Sequence, residues 1–97
     1  MIRSFRNQQS EDVFNGVQNK KAAKVLPLKL WRVAARKLDQ INRVTMLEEL
    51  GIPVGNHLEA LHRDREGQHS IRINDQYRIC FRWADDGVHD VEITDYH

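Results

Sequence analysis

The run from Gln68 to His97 decides the fold of this chain. It reads Gln68-His-Ser-Ile-Arg-Ile-Asn, Asp75-Gln, Tyr77-Arg-Ile-Cys-Phe-Arg-Trp, Ala84-Asp-Asp-Gly and Val88-His-Asp-Val-Glu-Ile-Thr-Asp-Tyr-His. Apolar and polar residues alternate in three stretches, which are separated by short polar turns, the second containing Asp-Gly. Alternation of this kind indicates half-buried strands, and Asp-Gly is a common hairpin turn. The run therefore predicts an antiparallel meander of three strands.

The alternation also assigns the side chains of the meander to two faces, because side chains in a strand repeat with a period of two. The predicted apolar face contains Ile71, Ile73, Tyr77, Ile79, Phe81, Trp83, Val91 and Ile93. The opposite face contains Ser70, Arg72, Asn74, Arg78, Cys80, Arg82, Asp90 and Glu92. One face can therefore pack a core while the other presents three arginines framed by carboxylates. The alternative is that the second face is only the solvated side that many antiparallel sheets have.

The first half of the chain predicts helices that would cover the apolar face. Ser10 is a suitable N-cap for a short helix that Gly16 would end, and residues 28–42 form the main predicted helix. Its buried stripe follows spacings of three and four. The stripe consists of Trp31, Ala34, Ala35, Leu38 and Ile41.

Three shorter segments complete the prediction. Residues 2–5 could add an edge strand to the meander, and residues 57–62 a further strand before it. Thr45 and Glu48 match a capping box, a Ser or Thr followed three residues later by Glu. The order of elements predicts one α+β domain over residues 1–97, with helices on one face of an antiparallel sheet.

Length and composition limit the possible classes of protein. Ninety-seven residues with 40% hydrophobic and 30% charged side chains suit one folded domain with a modest core. Cys80 is the one cysteine, so no disulfide can form within the chain, and we expect a cytoplasmic protein. Neither a signal peptide nor a membrane span is indicated.

Charge is divided unevenly along the chain. Residues 1–44 contain ten Lys or Arg and three Asp or Glu, whereas residues 45–97 contain five and eleven. A basic first half suggests a polyanionic partner, although the two halves could also neutralise each other in the fold. Lys29, Arg32 and Arg36 of the predicted main helix are candidates to contact RNA phosphates, or else ordinary solubilising residues.

Several kinds of site have no support in the sequence. The five histidines and one cysteine lack the spacings of a zinc site, Gly-x-Ser-x-Gly is absent, and no glycine-rich phosphate loop occurs. What remains suits phosphodiester cleavage without a metal or other cofactor. That reaction needs a base for the ribose 2′-hydroxyl, cations for the phosphate and an acid for the 5′-oxygen. The candidates are His62, Arg72, Arg78, Asp95, Tyr96 and His97.

Two motifs in the second half carry a resemblance to a known family. Tyr77-Arg-Ile-Cys-Phe-Arg-Trp follows Asp64-Arg-Glu-Gly-Gln-His-Ser-Ile-Arg-Ile-Asn, and the chain closes with Val91-Glu-Ile-Thr-Asp-Tyr-His. This combination, together with the opening Met1-Ile-Arg-Ser-Phe, resembles the HigB toxins of the RelE/ParE superfamily of toxin–antitoxin systems. The resemblance covers essentially the whole chain and implies a RelE-like fold.

The resemblance implies a ribosome-dependent endoribonuclease that enters the ribosomal A site and cuts translated mRNA through the 2′-hydroxyl, without a metal. Arg78 would stabilise the phosphate, Tyr96 would stack on a base, His97 would move a proton and Asp95 would orient its neighbours. The implied partner is a HigA-type helix-turn-helix antitoxin, through which the toxin would reach operator DNA.

The chain departs from the family pattern beside the predicted site. Relatives commonly have a lysine at the position of His62, and some have a histidine at the position of Glu59. Either His62 takes the part of the lysine, or Arg63 or Arg65 does, or the enzyme is slow. Arg63 and Arg65, with Arg72 and Arg82 of the meander, are the further residues predicted to bind RNA.

Two other functions compete with cleavage. One is a toxin that binds DNA gyrase, as in the ParE branch, against which the terminal Asp-Tyr-His argues. The other is a degenerate toxin that cuts nothing and acts only in regulation of its operon, an alternative raised by His62.

Overall fold

Four antiparallel strands form one sheet in the computed structural model, which describes residues 1–95. The predicted residues Tyr96 and His97 lie outside the described part. The strands are β1 (Glu59–Ala60), β2 (His69–Arg72), β3 (Tyr77–Ala84) and β4 (Gly87–Asp95), in the order β1-β2-β3-β4. The predicted meander is confirmed, and the strand predicted at 57–62 is reduced to two residues.

Three helices precede the sheet: α1 (Gln8–Asn15), α2 (Lys20–Val25) and α3 (Trp31–Arg43). Short 3₁₀ helices lie at Leu28–Leu30, Leu47–Gly51, Val54–Asn56 and Arg63–Arg65. The region predicted as one helix from residue 28 therefore begins as a 3₁₀ turn after Pro27. None of the helices within residues 1–95 is long and apolar enough to cross a membrane.

The core lies between the helices and one face of the sheet, called here the core face. Ile71, Ile79 and Ile93 are cross-strand neighbours on three successive strands, and all three are buried. Helix α3 packs its buried stripe into the same cluster. That stripe is Trp31, Ala34, Leu38 and Ile41, while Ala35, predicted in the stripe, is only half-buried. The predicted α+β architecture is confirmed.

Two predicted helix caps are wrong, and tertiary contacts explain the first. Asn7, not Ser10, caps α1, because its side-chain oxygen accepts from the Ser10 backbone N–H at 2.9 Å. Ser10 is buried, and its hydroxyl oxygen accepts from the backbone N–H of Ile93 in β4 at 3.0 Å. Ser10 therefore joins the first helix to the sheet.

The second error shifts the capping carboxylate by one residue. Glu49, rather than Glu48, accepts hydrogen bonds from the backbone N–H groups of Met46 and Thr45, at 2.9 and 3.0 Å. These bonds lower the pKa of the Glu49 carboxyl from its usual value. A carboxylate placed here satisfies N–H groups at the start of the 3₁₀ helix Leu47–Gly51.

The first residues of the chain run beside β4, as the predicted edge strand would. Ile2 and Phe5 form isolated parallel bridges with Val88 and Val91. Gly87 permits this close approach: its φ is +139°, and an added Cβ would lie 2.6 Å from the backbone oxygen of Met1. The N-terminal segment therefore covers the outer edge of β4.

Candidate functional site

Arg78 is buried on the sheet face opposite the helices, called here the arginine face, which carries Ser70, Arg72, Arg78, Cys80, Arg82, Glu92 and Thr94. Arg78 is 7% exposed. Its Nε donates to Ser70 Oγ at 2.8 Å, and its Nη2 donates to the backbone oxygen of His57 at 2.5 Å. The guanidinium is therefore held at a fixed position by a neighbouring strand and by the segment before β1.

A carboxylate faces this guanidinium from β1. Glu59 Oε1 lies 3.7 Å from Arg78 Nη2, and the Glu59 side chain is 53% exposed. The pair thus joins a buried cation to an acid that solvent can reach. An arginine fork suits a phosphate as well as a carboxylate, so an anionic ligand could share or replace this contact.

The Arg78 depression, a shallow cavity of about 250 Å³, surrounds this pair. Its lining also includes Arg72, whose Nη2 pairs with the exposed Asp75 carboxylate in the turn after β2. The full lining is His57, Glu59, Arg72, Asn74, Asp75 and Arg78. Two cations, two carboxylates and His57 therefore meet at one place on the surface.

Sequence reasoning did not name two residues of this lining as candidates, Glu59 and His57. His57 follows the buried Asn56 and adopts a left-handed conformation with φ of +46°, which turns the chain between the 3₁₀ helix Val54–Asn56 and β1. No spacing in the sequence relates His57 to Arg78, 21 residues away. The one available signal was its proximity to Glu59, which the family comparison had already marked as a departure.

The arginine face is less open than its pattern predicted. Ser70 and Cys80 are fully buried, as is most of Arg78. The β1–β2 connection folds over the face, since Arg65 Nη1 reaches Glu92 Oε1 of β4 at 3.0 Å. Burial raises the pKa of the Cys80 thiol. The alternative of a merely solvated second face therefore does not hold at the centre of this face, where Ser70, Arg78 and Cys80 are buried.

Other predicted site residues lie outside the depression. His62 is 77% exposed and its Nδ1 lies 3.8 Å from Glu66, so the structure does not bring it into the lining with Arg78. Arg82 pairs with Asp90 through Nη2 at 3.3 Å, at a β-bulge between β3 and β4. Arg63 is exposed in its 3₁₀ turn, and Lys29, Arg32 and Arg36 are exposed on and before α3.

Asp95 ends the described part of β4 and pairs in register with Tyr77, a core-face residue. Its Oδ2 accepts from Gln76 Nε2 at 3.0 Å. Arg78 is instead opposite Thr94. The orienting role predicted for Asp95, and the roles of Tyr96 and His97, stay predictions. Within residues 1–95, no group of three His, Cys, Asp or Glu side chains is placed to hold a metal ion.

Solved structures of other proteins share the fold of this chain. The chain matches the YoeB-YefM complex from Staphylococcus aureus with a TM-score of 0.53, and a heterotetrameric YoeB-YefM toxin-antitoxin complex from the same organism with 0.54. Each match covers 100% of this chain and 98% of the other at 16% identity, which establishes a shared fold.

The sequence gives the family. Residues 3–97 match the family model described as the RelE-like toxin of type II toxin-antitoxin system HigB, and the chain belongs to this HigB-like family. It is 31% identical over 85 residues to Toxin HigB-1 of Vibrio cholerae, covering 88% of this chain and 86% of that protein. It is also 36% identical over 66 residues to an uncharacterised protein of Haemophilus influenzae, covering 68% of this chain and 65% of that protein. The predicted family is confirmed.

Proposed function

We propose that this toxin is a ribosome-dependent mRNA endoribonuclease that cuts RNA by metal-independent attack of a ribose 2′-hydroxyl. The observation that carries the proposal is the buried guanidinium of Arg78, fixed by Ser70 and His57 and open to the Arg78 depression. A preorganised cation stabilises charge that develops on a phosphate in the transition state.

In the proposed reaction, the 2′-hydroxyl oxygen attacks the adjacent phosphorus while its proton passes to a base. The bond between phosphorus and the 5′-oxygen breaks, and an acid protonates the departing oxygen. The products are a 2′,3′-cyclic phosphate and a 5′-hydroxyl. Arg78 would hold the phosphate oxygens, assisted by Arg72 at the rim.

Glu59 is the base that the geometry favours. Its carboxylate lies 3.7 Å from the group that would hold the phosphate, and half of its side chain is accessible. A ribose attached to that phosphate would therefore lie within reach of Glu59. His57 lines the same depression and is the second candidate. His97 remains the residue predicted to move a proton, and Tyr96 the predicted stacking residue.

The cytoplasm is the proposed site of action, and the proposed partner is a HigA-type antitoxin that neutralises the toxin and connects it to operator DNA. The family description supports an antitoxin, since it names a type II toxin-antitoxin system. Co-purification of a helix-turn-helix protein encoded beside the toxin would test this, and a toxin that remains active in its presence would contradict it.

Arg78→Lys tests the nuclease. Lysine keeps the charge but loses the fork, so we expect cleavage of mRNA on translating ribosomes to fall by about 10²–10³-fold. The measurement is mapping of new 5′ ends after induction, together with single-turnover cleavage on programmed ribosomes. Glu59→Gln should reduce the same rate by about 10²-fold if it is the base.

Arg82→Lys is the matched control, because Arg82 lies on the same strand and face but 51% exposed and paired with Asp90. Lysine keeps the positive charge with which Arg82 was predicted to bind RNA, so the cleavage rate of this variant should stay near that of the wild type. Full activity of a folded Arg78→Lys protein would refute the proposal. Absence of new 5′ ends with wild type would favour a regulatory toxin, and inhibition of gyrase supercoiling would favour a gyrase inhibitor.

A further inference from the structure

A second concave surface, called here the α3 groove, lies between α3 and the loop that contains Pro53. It has a volume of about 400 Å³. Its lining consists of Arg36, Lys37, Asp39, Gln40, Arg43, Pro53 and Asn56. Three of the seven side chains are cationic and one is acidic, so the α3 groove is basic.

Hydrogen bonds hold the two walls of the α3 groove together. Asn56 is fully buried, and its Nδ2 donates to the backbone oxygen of Leu50 at 3.1 Å and to Gln40 Oε1 at 3.2 Å. Gln40 Nε2 donates to the backbone oxygen of Ile52 at 2.7 Å. The groove is therefore preformed, which reduces the entropy lost when a ligand binds.

Lys37 is the partly buried cation of this surface. Its Nζ donates a hydrogen bond to Asn56 Oδ1 at 2.5 Å, and Asn56 is its one hydrogen-bond acceptor within residues 1–95. An ammonium has three donors, so two remain for solvent or a ligand. Burial lowers the pKa of Lys37, and the positive charges of Arg36 and Arg72 lower it further. A bound anion would offset this repulsion.

Asp39 is the one carboxylate in the lining. Its Oδ2 lies 3.3 Å from Arg43 Nε, and both side chains are more than half exposed. An exposed pair of this kind contributes little to stability, so an anion could compete with Asp39 for Arg43.

The α3 groove adjoins the Arg78 depression. Asn56 lines the groove, and the next residue, His57, lines the depression and accepts a hydrogen bond from Arg78 through its backbone oxygen. Arg72 of the depression is close enough to Lys37 to act on its charge. The two concave surfaces therefore meet at the step from Asn56 to His57, and each has cationic side chains in its lining.

We propose that the α3 groove is a second phosphate subsite, which binds a phosphodiester of RNA at a distance from the bond beside Arg78. The inference deepens the proposed function and rests on it for the identity of the ligand as RNA. It also divides the predicted RNA-binding residues, because Arg36 lines the groove whereas Lys29 and Arg32 do not.

The test compares two double variants that lose the same charge. Arg36→Gln with Lys37→Gln alters the α3 groove, and Lys20→Gln with Lys24→Gln alters exposed positions of α2 outside its lining. Binding of the purified proteins to a short single-stranded RNA is measured over a range of salt concentrations. We expect the groove variant to bind more weakly and to lower the salt slope by about 1, with a much smaller change for the α2 variant.

A substitution that removes a negative charge from the α3 groove should have the opposite effect on RNA binding. Asp39→Asn removes the competing carboxylate and should tighten RNA binding, whereas Asp85→Asn in the β3–β4 turn should change it much less. The proposal would be overturned if the groove and α2 double variants changed RNA binding equally in every measurement. It would also be overturned if Asp39→Asn and Asp85→Asn changed RNA binding equally. In either case a general charge effect would explain the data.

A second arm identifies the source of the phosphodiester. If it belongs to the mRNA, the groove variant raises the KM for cleavage on programmed ribosomes more than it lowers kcat. If it belongs to ribosomal RNA, the variant also weakens binding to ribosomes that carry no mRNA. A wild-type protein that binds RNA through the groove but never cuts it would refute the nuclease and leave the subsite standing.

Discussion

Both faces of the sheet contain buried side chains of β2 and β3, but these side chains are held in place by different interactions. On the core face, Ile79 and Phe81 of β3 pack against helices in an apolar cluster. On the arginine face, Arg78 and Cys80 of the same strand are also buried, but Arg78 is held by hydrogen bonds to Ser70 and His57. Apolar burial stabilises the fold without regard to direction, whereas buried polar groups must be paired in a definite geometry. The core face therefore supplies the apolar burial, and the arginine face holds the residues of the proposed reaction.

Among the substitutions that test this difference between the faces, Phe81→Ala should have the largest effect on stability. Phe81 is fully buried on the core face, so its truncation should lower the free energy of unfolding by about 3–5 kcal/mol, as measured by urea denaturation. Arg82→Ala is the neighbouring control on the arginine face. It removes an exposed ion pair with Asp90 and should cost about 1 kcal/mol or less. If Phe81→Ala and Arg82→Ala lowered the free energy of unfolding equally, the two faces would contribute equally to stability.

Ser70→Ala should give an intermediate effect from the arginine face. The change removes the hydroxyl that accepts from Arg78 Nε, which should cost about 1–3 kcal/mol of stability and reduce RNA cleavage in addition. Ser4→Ala removes a half-buried hydroxyl that accepts from the Asp90 backbone N–H, so it is a matched control for stability alone. If Ser70→Ala lowered stability but left cleavage unchanged, the fixed position of Arg78 would not matter to the reaction.

The smallest effect concerns pH, at the 3₁₀ helix that packs Leu50 into the core. The pKa of Glu49 is lowered in the folded protein by the N–H groups of Met46 and Thr45. Its contribution to stability is therefore present above the unfolded pKa of about 4.3 and is lost as pH falls through the lower folded pKa. The difference in unfolding free energy between wild type and Glu49→Gln should shrink on acidification below about pH 5.

Glu48→Gln is the control for this titration, because Glu48 was the capping residue that the sequence predicted. Its carboxylate makes no such backbone bond within residues 1–95, so the variant should follow the wild-type pH profile. A flattened acid profile for Glu48→Gln, with an unchanged one for Glu49→Gln, would restore the original assignment.

Helices and strands could be predicted from the sequence where apolar residues recur at a regular spacing. The meander and the two faces of β3 follow from alternation, and α3 follows from the spacing of Trp31, Ala34, Leu38 and Ile41. The N-cap of α1 was missed because Ser10 is used by Ile93, a residue 83 positions later. Local propensity gives no information about such distant partners.

The candidate site also contains residues that the sequence predicted and residues that it did not. Arg78 was predicted, since its strand and face follow from the pattern, and the resemblance to the family named it. His57 was not predicted, and His62 was expected where the structure places His57 and Glu59. The path of residues 52–66, which turns at a left-handed His57 and folds over the arginine face, decided this.

Periodicity and motifs are properties of neighbouring residues, and they were enough to predict the sheet, its apolar face, the main helix and the family. The burial of Arg78 beside Glu59 could be seen only in the fold, as could the position of the α3 groove next to the Arg78 depression, which it meets at Asn56 and His57. Those arrangements depend on contacts between segments far apart in the chain, and loop paths fix such contacts through packing and hydrogen bonds that no local pattern encodes.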